Sequence, residues 1–147
     1  MSRRHQPRRP RPVVQVGVAV IEQRGRYLIS RRRPQDHLGG FWEFPGGKRR
    51  VGESWPACLR RELREELGVG VAAGERLMSL RYRYPNRQVV LAIFRCRVTS
   101  GRPKPLACQE IRWISSRQLA RFKFPPADRA LIRWLTQQRQ LSRAPQA

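Results

Sequence analysis

The chain has 147 residues, 39% of them hydrophobic, enough for one domain whose folding buries roughly two thirds of its unfolded surface. No apolar run nears the roughly 18 residues that span a bilayer, and the N-terminus lacks the apolar core of a signal peptide, so no membrane partner and a cytoplasmic location are expected. The 32 Lys and Arg against 10 Asp and Glu give a formal charge of +22, which fits a solvated arginine-rich surface and attraction to phosphate-bearing ligands equally well. Cys58, Cys96 and Cys108 are odd in number and lack CxxC spacing, which points to neither a disulfide framework nor a zinc site.

Residues 1–12, MSRRHQPRRPRP, hold five arginines and three prolines without apolar periodicity. They read as a disordered basic arm, a solubilising tail or a weak tether for nucleic acid, ahead of a domain over 13–140 and a flexible tail over 141–147. From Val13 to Ile21 the chain is almost continuously apolar and valine-rich, the pattern of a strand buried on both faces. Arg24-Gly25 supplies a turn and Arg26 to Ser30 a second strand. Arg31, Arg32 and Arg33 follow, solvated or facing a phosphate. Residues 34–40 read as a loop holding His37, and 41–44 as a short strand before Pro45. At Gly46-Gly47 the backbone is free to take positive φ and approach a ligand.

Ser54 suits an N-cap and Pro56 a first helical turn, with Leu67 the last helical residue and Gly68 its left-handed stop. At roughly 100° per residue, Leu59, Leu63 and Leu67 share one sector, Arg60, Arg61 and Arg64 the next, and Glu62, Glu65 and Glu66 the third. Beyond Gly74, Arg76 to Tyr84 and Gln88 to Val98 flank Pro85-Asn86 as a long antiparallel hairpin, with Tyr82, Tyr84 and Phe94 as core or cross-strand residues. Ser100 to Pro105 reads as a loop, Ile111 to Ile114 as a short strand, and Ser115-Ser116 as the cap of a helical turn through Leu119. Pro125 and Pro126 open a last helix, with Ala130, Leu131, Trp134 and Leu135 at helical spacing and fraying beyond Gln140.

Four of the ten acids, Glu53, Glu62, Glu65 and Glu66, lie within 14 residues. Glu62 with Glu65 is an i,i+3 pair and with Glu66 an i,i+4 pair, so the three share a helical face. Like charges this close raise one another's proton affinity unless a cation sits among them. Two readings follow: an acidic face paired with nearby arginines, or an all-oxygen site of the kind Mg²⁺ or Mn²⁺ prefers.

Read in full, the stretch is Gly47, five residues, Glu53, seven residues, Arg61-Glu62-Leu63, one residue, Glu65-Glu66, one residue, Gly68-Val69. It resembles the Nudix box, G-x5-E-x7-R-E-U-x-E-E-x-G-U with U apolar, at every specified position. The similarity extends to VGVAVI, SRR, WEFPGGK, YRYPNRQVVL and FPPAD, which together resemble MutT-type 8-oxo-dGTP diphosphatases over about residues 13–136. The resemblance implies an α/β/α sandwich with a mixed sheet between helices, and a Mg²⁺-dependent (or Mn²⁺-dependent) hydrolase of nucleoside triphosphates; the sequence leaves the oligomeric state open, with a monomer favoured. Carried over by position, Glu62, Glu65 and Glu66 are metal ligands, one of them serving as base, with the Gly46 carbonyl a further ligand. Glu53 and Arg61 brace the loop against the helix, alongside Gly47 and Gly68. Arg32, His37, Glu43, Phe44, Pro45, Gly46 and Asp128 contact substrate.

Two departures from that subfamily bear on the base and the metal. After FPPA the subfamily commonly has asparagine, which donates to the purine O6 and accepts from the N7 proton of the oxidised base; Asp128 donates to O6 only when protonated. Pyrimidine-preferring relatives also end in PAD, so CTP or a modified pyrimidine is the alternative substrate. An additional metal-binding glutamate often precedes the tryptophan matching Trp113 by six residues; Ala107 stands there, with Glu110 the nearest acid. A reading of another class is a nucleic-acid-binding module on a residual Nudix fold, which the complete box opposes.

Overall fold

The valine-rich opening segment is the axis of the molecule. In the computed structural model, which describes residues 12–143, the order is β1 (Val13–Gln23), β2 (Arg26–Arg31), β3 (Trp42–Glu43), β4 (Gly46–Lys48), α1 (Trp55–Leu67), β5 (Gly70–Tyr84), β6 (Arg87–Ser100), β7 (Glu110–Ser115) and α2 (Arg129–Arg143). Short 3-10 turns cover Ser116–Arg121 and Pro126–Asp128. β1 runs parallel to β6 from Val13 beside Gln88 to Ile21 beside Cys96, and antiparallel to β4 on its other edge. Its last residues turn onto β2, which pairs antiparallel with β3 and β7. β5 closes the far edge against β6.

Alternate residues of β1 serve opposite cores. Ala19 and Ile21 join Leu59, Leu63 and Leu67 of α1, while Val18 and Val20 join Leu131 and Leu135 of α2. A strand covered on both faces needs no polar alternation, and this holds for Gly17 to Ile21, all buried, whereas Val13 and Gln15 at its start are exposed, contrary to the expectation of burial from Val13 on. The result is the expected mixed sheet between helices. Ser54 caps α1, its hydroxyl accepting from the Ala57 N–H at 3.2 Å, and Gly68 ends it at φ 69°, its N–H donating to the Arg64 carbonyl at 3.0 Å. Gly17 lies under α1 with Leu59 and Trp55 near 3.3–3.4 Å of where a Cβ would stand, so its small size sets the helix-to-sheet distance.

Four boundaries differ from the sequence reading. β5 starts at Gly70, because the sheet takes up Gly74 in register shifts between Ala73 and Met78 instead of breaking there. Gly46-Gly47, where positive φ was expected, is a strand edge paired with Gly17 and Val18, with Gly46 at φ 155°. Pro126 opens a 3-10 turn, and α2 proper begins only at Arg129. The helix then continues to Arg143, past the expected fraying point. Residues 1–11 of the basic arm and 144–147 of the tail lie outside the described residues.

Candidate active site

The site is assembled where α1 presses on the glycines of β4. A Cβ on Gly47 would stand 2.3 Å from the Glu62 carboxyl, and one on Gly46, whose φ is 155°, would stand 1.9 Å from the Gly17 carbonyl oxygen. Only glycine lets backbone and carboxylate come this close. The Gly46 N–H points at Glu66, donating to Oε2 at 3.4 Å.

Beside this contact, Arg61 ties the loop before α1 to the helix. Its Nε and Nη2 donate to the two oxygens of Glu53 at 2.8 and 2.9 Å, its Nη2 also reaches the Lys48 carbonyl at 2.9 Å, and its Nη1 meets Glu62 Oε1 at 2.7 Å. The Arg50 N–H adds a bond to Glu53 at 3.1 Å. These donors hold the Glu53 carboxyl near pKa 2, Arg61 first among them. Bidentate pairing of this kind fixes direction as well as position.

A cleft of about 340 Å³ opens from this corner toward the N-terminal end of α2. Arg32, Glu43, Gly46, Glu66 and Asp128 line it, and Phe44 and Tyr84 contribute aromatic wall. Phe44 is stacked on Phe124 with ring centroids 5.5 Å apart. Arg32 Nη1 holds Glu43 at 2.9 Å while its Nε donates to the His37 carbonyl at 2.6 Å. Even so, burial raises Glu43 above the ordinary carboxylate range. Burial, then the charges of Glu43 and Glu62, push Glu66 up to about 8, and burial with the Glu43 charge pushes Asp128 up to about 7. One cation does not neutralise three enclosed carboxyls, so Glu43, Glu66 and Asp128 each hold a proton more tightly than an exposed carboxylate does.

The sequence-expected residues are thus partly gathered. Arg32, His37, Glu43, Phe44, Gly46, Glu66 and Asp128 line one cleft; Pro45 does not, its carbonyl being spent on the Ala19 N–H at 2.8 Å. The three helical glutamates do not share one environment. Glu62 is held behind Gly47 by Arg61, whereas the Glu65 side chain is 53% exposed and meets Arg61 at 3.6 Å and Arg50 at 4.0 Å. Glu110 is engaged by Arg31 at 3.4 Å and Arg112 at 3.3 Å, and it is not among the charges acting on Glu66. Tyr84 and Arg87 line the cleft from either side of the hairpin turn, a contribution only the hairpin's curl reveals. The segment 104–109, of which the sequence reading covers only 104–105, as loop, ties two walls of the site together. It donates the Lys104 and Leu106 N–H groups to the Leu67 and Glu66 carbonyls at 3.0 Å, and its Gln109 bonds the Arg31 and Arg32 carbonyls.

Among the described residues no three histidine, cysteine or carboxylate side chains stand ready-grouped around a cation position. On the outer side the Arg61 guanidinium lies against both Glu62 and Glu65. The donor set nevertheless suits a hard divalent ion: the Glu62 and Glu66 carboxylates and the Gly46 carbonyl offer only oxygen, and Glu66 is raised first by burial and then by the charges of Glu43 and Glu62.

A carboxylate-bearing helix seated on a paired-glycine strand, braced by Arg-Glu pairing and opening on an arginine-lined cleft, defines a hydrolase of phosphoric anhydrides. The chain belongs to the Nudix family: the NUDIX domain family matches residues 17–134. It is similar to the CTP pyrophosphohydrolase of Escherichia coli K12, 32% identical over 120 residues that cover 82% of this chain and 89% of that protein. It is also similar to the 8-oxo-dGTP diphosphatase of the same organism, 31% identical over 120 residues, 81% of this chain and 93% of that one. The solution structure of the E. coli ORF135 protein superposes with a TM-score of 0.77 at 31% identity, over 92% of this chain and 96% of its own. The chain is a Nudix hydrolase of the MutT type, a pyrophosphohydrolase.

Proposed function

We propose that the protein is a Mg²⁺-dependent pyrophosphohydrolase of oxidised purine nucleoside triphosphates, converting 8-oxo-dGTP and water to the monophosphate and pyrophosphate. The observation that carries the base assignment is Asp128, buried in the cleft with its pKa raised to about 7. Near neutral pH such a side chain is substantially a neutral acid, which has one O–H to give to the purine O6 and a carbonyl oxygen to receive the N7 proton. It thereby reproduces the donor and acceptor pair of an asparagine. Phe44 backs the base plane, and Arg32, already positioned by Glu43 and the His37 carbonyl, binds phosphate oxygens.

Glu62, Glu65, Glu66 and the Gly46 carbonyl are the proposed holders of Mg²⁺, with Mn²⁺ a substitute. Bound there, the ion supplies charge neutralisation for the diphosphate and acidifies water for attack. Glu53 and Arg61 act through position, keeping Glu62 against Gly47. One helical glutamate accepts the proton of the attacking water, and single Glu→Gln kinetics identify which. Chelation with EDTA is expected to stop turnover, and Mg²⁺ to restore it.

A second reading, hydrolysis of CTP or a modified pyrimidine triphosphate, is favoured by the same residue in its other state. Ionised Asp128 accepts from an exocyclic amine, and the similar E. coli protein is named for CTP. Turnover of 8-oxo-dGTP, dGTP, CTP and 5-hydroxy-CTP, measured side by side at pH 6 and pH 8.5, separates the two. Preference for 8-oxo-dGTP is expected to be larger at the lower pH. Less than a few-fold preference over dGTP at both values sinks the first reading, and CTP as best substrate establishes the second.

A further inference from the structure

The residue ahead of a proline is pushed out of helical backbone, and in Phe124-Pro125-Pro126 that constraint applies twice. The chain between the two 3-10 turns is accordingly extended, with φ −102° and ψ 145° at Phe122 and φ −59° and ψ 152° at Pro125. Successive side chains of extended backbone point to opposite sides. Phe122 and Phe124 pack into the core that α2 covers, while Lys123 between them is exposed, its ammonium 4.4 Å from the centre of the Phe41 ring.

This segment is sewn to the strand that leads into the cleft's aromatic wall. The Trp42 N–H donates to the Lys123 carbonyl at 2.8 Å. Phe122 meets Trp42 edge-on, with centroids 5.1 Å apart, and Phe124 lies along Phe44 at 5.5 Å with the ring planes 20° apart. Phe44 is in the lining of the cleft and Phe124 is not. Beyond Phe124, two prolines with fixed φ lead to Asp128, which lines the same cleft and whose N–H donates to the Pro125 carbonyl at 3.0 Å. The ring that would meet a base's face and the carboxyl that would meet its edge come from distant parts of the chain, and Phe124 is where those parts touch.

We propose that Phe124 is a positioning residue for base selection: lying along Phe44 and running through two prolines to Asp128, it fixes the ring and the carboxyl relative to one another. The inference rests on the reading that Phe44 and Asp128 receive the base. Discrimination by hydrogen bonds at a base edge needs that fixed relation, because a site free to shift lets the wrong base find a partner. The phosphate end has supports of its own, Arg32 being held by Glu43 and the His37 carbonyl, and Glu62 by Arg61.

The test compares Phe124→Leu, which keeps apolar bulk but loses the flat face, with Phe122→Leu, the matching loss at the Trp42 end of the segment. For each, kcat and KM are measured on 8-oxo-dGTP, dGTP, CTP and 5-hydroxy-CTP, with inhibition by pyrophosphate and the thermal midpoint alongside. Phe124→Leu is expected to narrow the preference for the best substrate over the poorest by about ten-fold, through KM and with kcat within about three-fold of wild type. Pyrophosphate, which has no base, is expected to inhibit it as it does wild type. Phe124→Met, a second replacement without a flat face, should behave as Phe124→Leu does, and Phe124→Tyr, which keeps the ring, should keep the preference. Phe122→Leu should lower the midpoint by a similar amount and leave the preference intact. Equal narrowing in Phe122→Leu and Phe124→Leu, or an unchanged preference in Phe124→Leu, overturns the positioning role. A wild-type protein that shows no base preference removes the reading beneath it, and does so before any variant is measured.

Discussion

Two clusters of carboxylates flank α1, and they differ in how arginine reaches them. At the outer cluster, Glu53 and Glu62 share Arg61 at 2.7–2.9 Å, and Glu53 is driven down to about pKa 2. In the cleft, Arg32 pairs with Glu43 alone, while Glu66 and Asp128 rise to about 8 and 7. No arginine forms an ion pair with either of them among the described residues, in a chain with 32 basic side chains. Scarcity does not explain that shortage. The saturated cluster holds the loop before α1 to the helix, and the undersupplied one is where the proposed cation would bring the positive charge that no arginine brings.

The comparison breaks most decisively at Glu66. Glu66→Gln keeps the helix and its hydrogen bond to Gly46 in reach but removes the charge, so pyrophosphate release is expected to fall at least about a thousand-fold with the thermal midpoint preserved. Loss below ten-fold returns Glu66 to a structural role. Arg61→Ala strikes the saturated cluster and frees both Glu53 and Glu62; activity should drop about 10- to 100-fold, with a lower thermal midpoint than any cleft variant. A midpoint equal to wild type contradicts its bracing role. Glu65→Gln, at a half-exposed side chain, is expected to cost about ten-fold or less and to leave the midpoint unchanged, since exposed pairs contribute little.

The smallest effect concerns Asp128 and pH. Its folded pKa of about 7 lies above the ordinary carboxylate value of 3.8. The folded state therefore holds the proton more tightly, and this contribution to stability is present at low pH and lost as pH rises from about 4 to about 7. Asp128→Asn cannot titrate, so its midpoint should fall less than wild type's between pH 5 and pH 8, by about 3 °C or more at this chain length. Identical pH dependence in the two proteins places the proton elsewhere.

Much of this architecture is local enough to be written in sequence. The spacing from Gly47 to Gly68 specifies the box, Ser54 and Gly68 announce the ends of α1, and the valine run declares a doubly covered strand. What escapes is whatever depends on partners distant in the chain. Helical geometry puts Glu62, Glu65 and Glu66 on one side, but only the packing of β4 decides that Glu62 turns inward while Glu65 stays in water. The field of Glu43 on Asp128 acts across 85 positions of chain and two elements, beyond any periodicity. Gly74 looks like a strand break because sequence does not reveal that β6 continues past it. Glu110 is the acid nearest Ala107 in sequence, and its two arginines are visible only with β2 and β7 side by side.

The strap from Lys104 to Gln109 has an engineering consequence. Its backbone terminates α1 at Glu66 and Leu67, and its Gln109 is laced to the carbonyls of Arg31 and Arg32, so one short connection spans both walls of the cleft. Surface loops usually accept tags, insertions or new termini. Here the exposed Arg24-Gly25 turn, which does not line the cleft, is the better place for an insertion, and a cut within 104–109 would uncouple the acid-bearing helix from the arginine-bearing strand.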